Sequence, residues 1–325
     1  MNLKFWAPLA CLTLFMMFAG TAFAQDADTS TPSPKVKSAI AAARASASAK
    51  PADATPKEQQ KGSSVKSDAD TCAYTFTNAG PNNSYMEFCV STNGNIISFQ
   101  SPSGIEYLDL GTLSEGYGIC DFATGLFYYD YADYGASGFG APTLVSHTAT
   151  LVTIKRITTD GAWTLTQTIS KVGGVTPYAK VEMHLENNSS EDKVAGLLRW
   201  ADVDPYNAPA NDNYLESFDS TYNSAWGYTS LGSYTGPDQI GYGLMIQNIG
   251  IPTGLDSASN YVLEGIDWSV NTAPAPLFVA ADNPCTPFNH GPGYFGNVDG
   301  SVMIYYFLGI DPHHTATVND RYLAL

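Results

Sequence analysis

The sequence predicts an all-β fold, a large antiparallel two-sheet β-sandwich preceded by a signal peptide and a disordered linker. Two observations predict it. Short alternating runs rich in Val, Ile, Thr, Tyr and Phe recur from residue 71 to residue 325, with Gly, Pro, Asn and Asp between them. No stretch of ten or more residues carries the apolar stripe of a helix. About fifteen strands at close spacing suit two packed sheets.

Taken in chain order, residues 1–24 read as a secretory signal peptide. Lys4 is followed by an apolar run over 5–18, then Gly20 and the small-residue exit Ala22-Phe23-Ala24, with cleavage expected between Ala24 and Gln25. Cys11 lies inside this segment, behind Pro8-Leu9-Ala10, a poor match to a lipid-attachment site. The mature chain is therefore expected to be secreted, periplasmic or extracellular, with no membrane span after signal cleavage. Residues 25–70 are mostly Ala, Ser, Thr, Pro, Lys and Asp with no aromatic residue. Such a tract buries too little apolar surface to offset its ordering entropy, so it reads as a disordered linker or tether, or a propeptide. Residues 71–325 are expected to form a single β-sandwich domain.

Strands are expected at 72–77, 85–90, 95–100, 148–157, 163–170, 175–185 and 302–308. Gly80, Pro81, Asn82 and Asn83 read as the first hairpin turn. Folding about Gly80 and Pro81 sets residue 72 opposite residue 89. Four cysteines follow the signal segment, an even count that reads as a disulfide framework in an exported protein. The hairpin pairs Cys72 with Cys89, and Cys120 with Cys285 by remainder.

The charge is lopsided. The whole chain has a formal net charge of −16. From residue 71 onward the only Lys and Arg are Lys155, Arg156, Lys171, Lys180, Lys193, Arg199 and Arg321, set against 25 Asp and Glu. Such a field repels nucleic acid and anionic membrane surfaces, and favours cations and neutral ligands.

Three clusters carry candidate chemistry. In 180–186 a period of two sets Lys180, Glu182, His184 and Glu186 on one face and Val181, Met183 and Leu185 on the other. Same-face neighbours on a strand lie roughly 6.5–7 Å apart, so Glu182, His184 and Glu186 are the candidate acid and base groups of a sugar-active enzyme. The alternative is an ordinary solvated sheet face. Next, Asp202, Asp204, Asn207, Asn211 and Asp212 form the densest oxygen-ligand run, which suits a structural Ca2+, or else a turn-rich loop whose Asp and Asn cap the backbone. It is not an EF-hand, because Tyr206 occupies the third ligand position and no central glycine is present. Finally, Trp200, Tyr206 and Trp226, with Tyr129 and Tyr131 of a second aromatic concentration, are the candidate sugar-stacking residues. Aromatic side chains serve equally well as core fillers. Gly291-Pro292-Gly293 opens a dinucleotide fingerprint in letters only, without the required strand and helix. His313 and His314 are adjacent on an extended chain and point apart.

Residues 94–108, opening Gly94-Asn95-Ile96, look like the first hairpin of galactose mutarotase-like supersandwich domains. Residues 181–204, a strand, the turn Asn187-Asn188-Ser189-Ser190 and a second strand, are similar to the central hairpin of that family. The resemblance covers about one sixth of the chain and implies the fold. It transfers no site residues, because the family's histidine-and-glutamate epimerase site has no clear counterpart here.

The first reading is an exported sandwich that binds carbohydrate or another cell-surface polymer without chemistry of its own. A second is a mutarotase-like or lyase-like enzyme using Glu182 and His184. A third is a structural or adhesive envelope protein.

Overall fold

A computed structural model describes residues 71–80, 84–108, 115–132, 135–203, 205, 213–218, 224–230, 240–250, 253, 261–269, 285 and 293–325. Seventeen strands fill them, against the roughly fifteen expected from spacing. In chain order they are β1 (Tyr74–Ala79), β2 (Tyr85–Val90), β3 (Ile96–Gln100), β4 (Glu115–Asp121), β5 (Leu126–Tyr131), β6 (Gly135–Ser137), β7 (Thr143–His147), β8 (Leu151–Ile157) and β9 (Trp163–Val172). There follow β10 (Tyr178–Asn187), β11 (Lys193–Asp202), β12 (Asn213–Phe218), β13 (Ser224–Ser230), β14 (Ile240–Asn248), β15 (Tyr261–Ser269), β16 (Gly293–Ile310) and β17 (Thr315–Ala324). No helix among the described residues is long and apolar enough to cross a membrane.

Strands β1, β2 and β3 form a small antiparallel sheet. All the others join one continuous ladder in the order β6-β5-β4-β11-β16-β12-β13-β14-β17-β10-β9-β8-β7, with β15 also paired to β16. The 18-residue β16 is where the ladder divides into two wings. Its first half pairs with β12, while residues 301–310 pair with β11. One wing runs from β6 to β11, the other from β12 to β7, and they face each other across the interior. Tyr322 of β17 reaches Glu115 of β4, and Trp163 of β9 reaches Asp121 of the same β4.

The period of two is visible in burial. On β10, Ala179, Val181, Met183 and Leu185 are fully buried, while Lys180, Glu182, His184 and Glu186 are half-buried on the opposite face. The partner β17 repeats this, with Ala316, Val318, Asp320 and Tyr322 inside and Thr315, Thr317, Asn319 and Arg321 outside. The first wing differs. Every residue of β4 and nearly every residue of β11 is buried, as in a sheet covered on both sides.

Two sequence expectations shift. Strand β10 begins at Tyr178 rather than at residue 175, because Gly173 and Gly174 turn the chain and leave Val175 88 % exposed. The first hairpin pairs Ala79 with Tyr85, so Cys89 stands opposite Thr75 and not opposite residue 72. The connection is longer than a tight turn about Gly80 and Pro81 would make it. Cys72 still reaches Cys89 diagonally, at a Cα separation of 5.6 Å, and Cys120 is bonded to Cys285. Two such bridges suit an oxidising compartment.

Close packing in the first wing depends on Gly196, where a Cβ would overlap the Tyr305 ring. Gly196→Ala is expected to destabilise the protein by about 1–3 kcal/mol through overpacking, and Tyr305→Leu in the same chain to recover part of that loss. Urea denaturation of both variants checks it; an unshifted midpoint in Gly196→Ala would contradict the packing.

Candidate functional site

The outer face of the second wing carries Glu182, His184, Glu186 and Trp226 of the sequence candidates. Backbone register builds it in rows. Thr317 stands opposite His184 and Asn319 opposite Glu182 on one side of β10, while Thr166 and Thr168 take the matching places on β9. Lys180 lies directly opposite Arg321, which lies opposite Gln247 of β14. The following row runs from Leu323 through Met245 to Trp226 of β13. Ala225 packs inward, so Trp226 and Tyr228 take the outer side. Rows on one face are roughly 6.5–7 Å apart and strands about 4.8 Å apart, so the row of Trp226 adjoins the polar rows, with Met245 and Leu323 buried and Trp226 half-buried.

Hydrogen bonds order the polar rows. Lys180 Nζ donates to Glu182 Oε2 at 2.9 Å, Glu182 Oε1 meets His184 Nε2 at 2.8 Å, and His184 Nδ1 meets Thr317 Oγ1 at 2.8 Å. With Glu182 ionised, His184 Nε2–H is the donor and Nδ1 accepts from the Thr317 hydroxyl. Partial burial pushes the Glu182 carboxyl up, but hydrogen bonds from Lys180 and His184 outweigh it and hold it below the usual carboxylate range. Arg321 Nε donates to Gln247 Oε1 at 2.7 Å, and its guanidinium lies over the Tyr178 ring, 5.6 Å from the centroid.

The other sequence candidates fall elsewhere. Tyr129, Tyr131 and Trp200 come together on the outer side of the first wing, with Tyr129 and Tyr131 stacked at 5.4 Å and Tyr131 meeting Trp200 edge-on at 5.4 Å. Trp200 and Tyr131 are fully buried there, so they pack a covered face and offer no open stacking platform. Asp202 ends β11 and is buried. Tyr206 and the proposed calcium ligands Asp204, Asn207, Asn211 and Asp212 lie outside the described residues. Among the described residues no group of three or more His, Cys, Asp or Glu could hold a metal ion.

Sequence reasoning missed the most heavily charged part of the interior. Arg199 of β11, fully buried, pairs with Glu115 and donates to Tyr322 Oη at 3.1 Å, to Gly94 O at 3.1 Å and to Gln167 Oε1. Glu115 also accepts from the Ile96 N–H at 2.7 Å and the Tyr322 hydroxyl at 2.6 Å. Beside it Arg156 of β8 pairs with Asp130 of β5, which accepts from Asn93 Nδ2 at 2.9 Å. Asp320 of β17 accepts from the Tyr306 hydroxyl. The available signal was Arg199 standing in the otherwise apolar run 194–201, on the same strand face as Leu197 and Ala201. Burial pushes the Glu115 carboxyl up to about 7 against the opposing pull of Arg199, and pushes Asp320 up to about 7 against the Tyr306 hydrogen bond.

No protein-family profile matches the chain, and no curated protein matches it. Among solved structures it is similar to a bacterial glucoamylase complexed with acarbose, at 10 % identity and a TM-score of 0.47, over 77 % of this chain and 32 % of that one. The chain thus spans about a third of that glucoamylase's length. It is also similar to an Escherichia coli K12 protein described as a "putative aldose 1-epimerase", at 11 % identity and a TM-score of 0.37, over 78 % of this chain and 99 % of that one. Likenesses this distant leave the functional reading to the residues themselves.

The buried carboxyls give a signed pH dependence. Asp320 and Glu115 have folded-state values above their unfolded ones, so the folded protein holds more protons than the unfolded chain between about pH 4.5 and 7. Stability is therefore expected to fall as pH rises through that window. Asp320→Asn keeps a neutral group beside Tyr306 and should flatten the decline. Thermal melts from pH 5 to pH 8 check this, and parallel curves for the two proteins would contradict it.

Proposed function

We propose that the protein is an exported β-sandwich that binds carbohydrate on the outer face of its second wing, without chemistry of its own. The observation that carries this reading is a single juxtaposition. Trp226 stands on the same sheet face as Gln247, Lys180, Glu182, His184 and Thr317, one row away from the nearest of them. Sugars present apolar C–H faces and rims of hydroxyls, so they suit a flat aromatic side chain flanked by fixed donors and acceptors. The signal-like start at residues 1–24 and the two disulfides support export.

The same geometry speaks against hydrolysis. Glu182 and Glu186 are four residues apart on one strand, roughly 13 Å, whereas paired glycosidase carboxyls stand about 5–10 Å apart. Glu182 is held ionised, so it is poorly placed as a proton donor. The backbone N–H groups of β9, β10 and β17 serve the sheet ladder and leave no donor for an oxyanion. One feature favours the sugar-active alternative. The Glu182–His184–Thr317 chain fixes an imidazole between a carboxylate and a hydroxyl, as proton-transfer chemistry would require.

Electrophoresis of the full chain in native gels carrying different polysaccharides tests the proposal. Retardation by at least one polysaccharide is expected. Trp226→Ala is expected to weaken it about tenfold or more, as for an aromatic anchor, and its melting temperature shows whether the fold is intact. Unchanged retardation in that variant would overturn the assignment of the face. Turnover of a sugar that disappears in His184→Ala would replace binding with catalysis.

A further inference from the structure

The seven Lys and Arg residues of this acidic sandwich are not spread evenly. Arg156 and Arg199 are buried between the wings with their carboxylates. Lys193 is committed to Asp121, and Lys171 donates to Thr77 O at 2.7 Å. The three that remain, Lys155 of β8, Lys180 of β10 and Arg321 of β17, all lie on the outer face of the second wing. Lys155 shares the row of Thr166 and His184, and Lys180 and Arg321 are direct cross-strand partners. Every Lys or Arg of residues 71–325 not engaged inside the sandwich is thus on the face that carries Trp226.

Like charges directly opposite on a sheet repel, with Cβ atoms about 5 Å apart. Glu182 offsets Lys180, at 2.9 Å. Arg321 has no ion pair among the described residues. Gln247 engages its Nε, and the Tyr178 ring lies beneath its guanidinium. A guanidinium steadied by an amide and a ring, next to a second cation and without its own carboxylate, is suited to an external anion. A planar carboxylate matches its fork of N–H donors in a bidentate contact. The net field of the protein is negative, so attraction here is local and acts within about a Debye length, 8–10 Å.

We propose that this face selects an anionic saccharide, a polymer bearing uronate carboxylates, with Arg321 and Lys180 as its carboxylate-binding pair. This rests on the reading of the face as a carbohydrate site. It narrows the ligand from sugars in general to acidic ones, against the expectation set by net charge.

Polygalacturonate and its methyl ester share one backbone and differ in charge, so they separate the two claims. With the full chain in native gels, a sulfated glycan and a neutral glucan complete the panel. Polygalacturonate is expected to bind at least about tenfold more tightly than its methyl ester, and to lose that advantage in high salt. Arg321→Gln should remove the preference, bringing the binding of polygalacturonate down to that of its methyl ester. Arg321→Lys, which keeps the charge and loses the fork, should restore only part of it. Melting temperatures of both variants show whether the fold is intact, and Lys180→Gln gives an independent second site if either Arg321 variant is unstable. Equal binding of acid and ester, or indifference to both Arg321→Gln and Lys180→Gln, would overturn the charge selection and leave the carbohydrate reading standing. Preference for the sulfated glycan would overturn the carboxylate assignment. Absence of retardation by any of the four would overturn both.

Discussion

The rest of the structure depends on the buried pair of Arg199 and Glu115. Each comes from a central strand of the first wing, and neither has access to water. Removing two charges from solvent is costly by several kcal/mol per ion, and only a full set of partners offsets it. Those partners come from elsewhere: Tyr322 and Gln167 from the second wing, and the backbone of Gly94 and Ile96 from the approach to the small sheet. The charges are therefore satisfied only when both wings and the small sheet are in place. Hydrophobic burial around Val181, Met183, Leu197 and Ile304 is large but non-directional, whereas this network admits few alternative registers.

The same constraint explains why the two outer faces differ. In the first wing, Tyr131, Trp200, Tyr305 and Phe307 are buried on the side away from the charged network, and the disulfide from Cys120 ties Cys285 to that wing. Strands there are apolar on both sides. In the second wing the outer positions of β10 from Lys180 to Glu186 and of β17 from Thr315 to Arg321 are Lys, Glu, His, Thr, Asn and Arg, and an apolar row of Leu323, Met245 and Trp226 follows them. Strand alternation thus leaves one broad ordered surface whose side chains are fixed by neighbouring rows. On β10 and β17 that surface is half-buried, whereas the more aromatic one is covered.

Charge is used twice in this chain, with opposite ends. Inside, Arg199 and Arg156 are consumed by carboxylates that would otherwise be buried alone. Outside, the small remainder within residues 71–325 is concentrated on the one face that also holds Trp226. The overall acidity hides this arrangement, because a sum over residues carries no information about which of them share a face.

The all-β class, the strand at 163–170 and the inward set Val181, Met183 and Leu185 were legible in the sequence, because a period of two is a local property of the chain. So was the facing of Glu182 and His184 away from that set. The hairpin register was not, since it turns on how many residues the connection uses, and the three-residue difference moved Cys89 from residue 72 to Thr75. Trp200 and Tyr131 looked like sugar-stacking residues because aromatic composition is the same in a binding platform and in a core. Only packing separates the two. Likewise Arg199 and Arg321 are both single arginines in strand-like segments. Tertiary structure buried the first against Glu115 and set the second beside Lys180, because cross-strand neighbours come from residues far apart in the chain. The sequence by itself determined the period, the class and the faces of each strand; which faces meet, and therefore which charges are neutralised, was decided by the pairing of the strands.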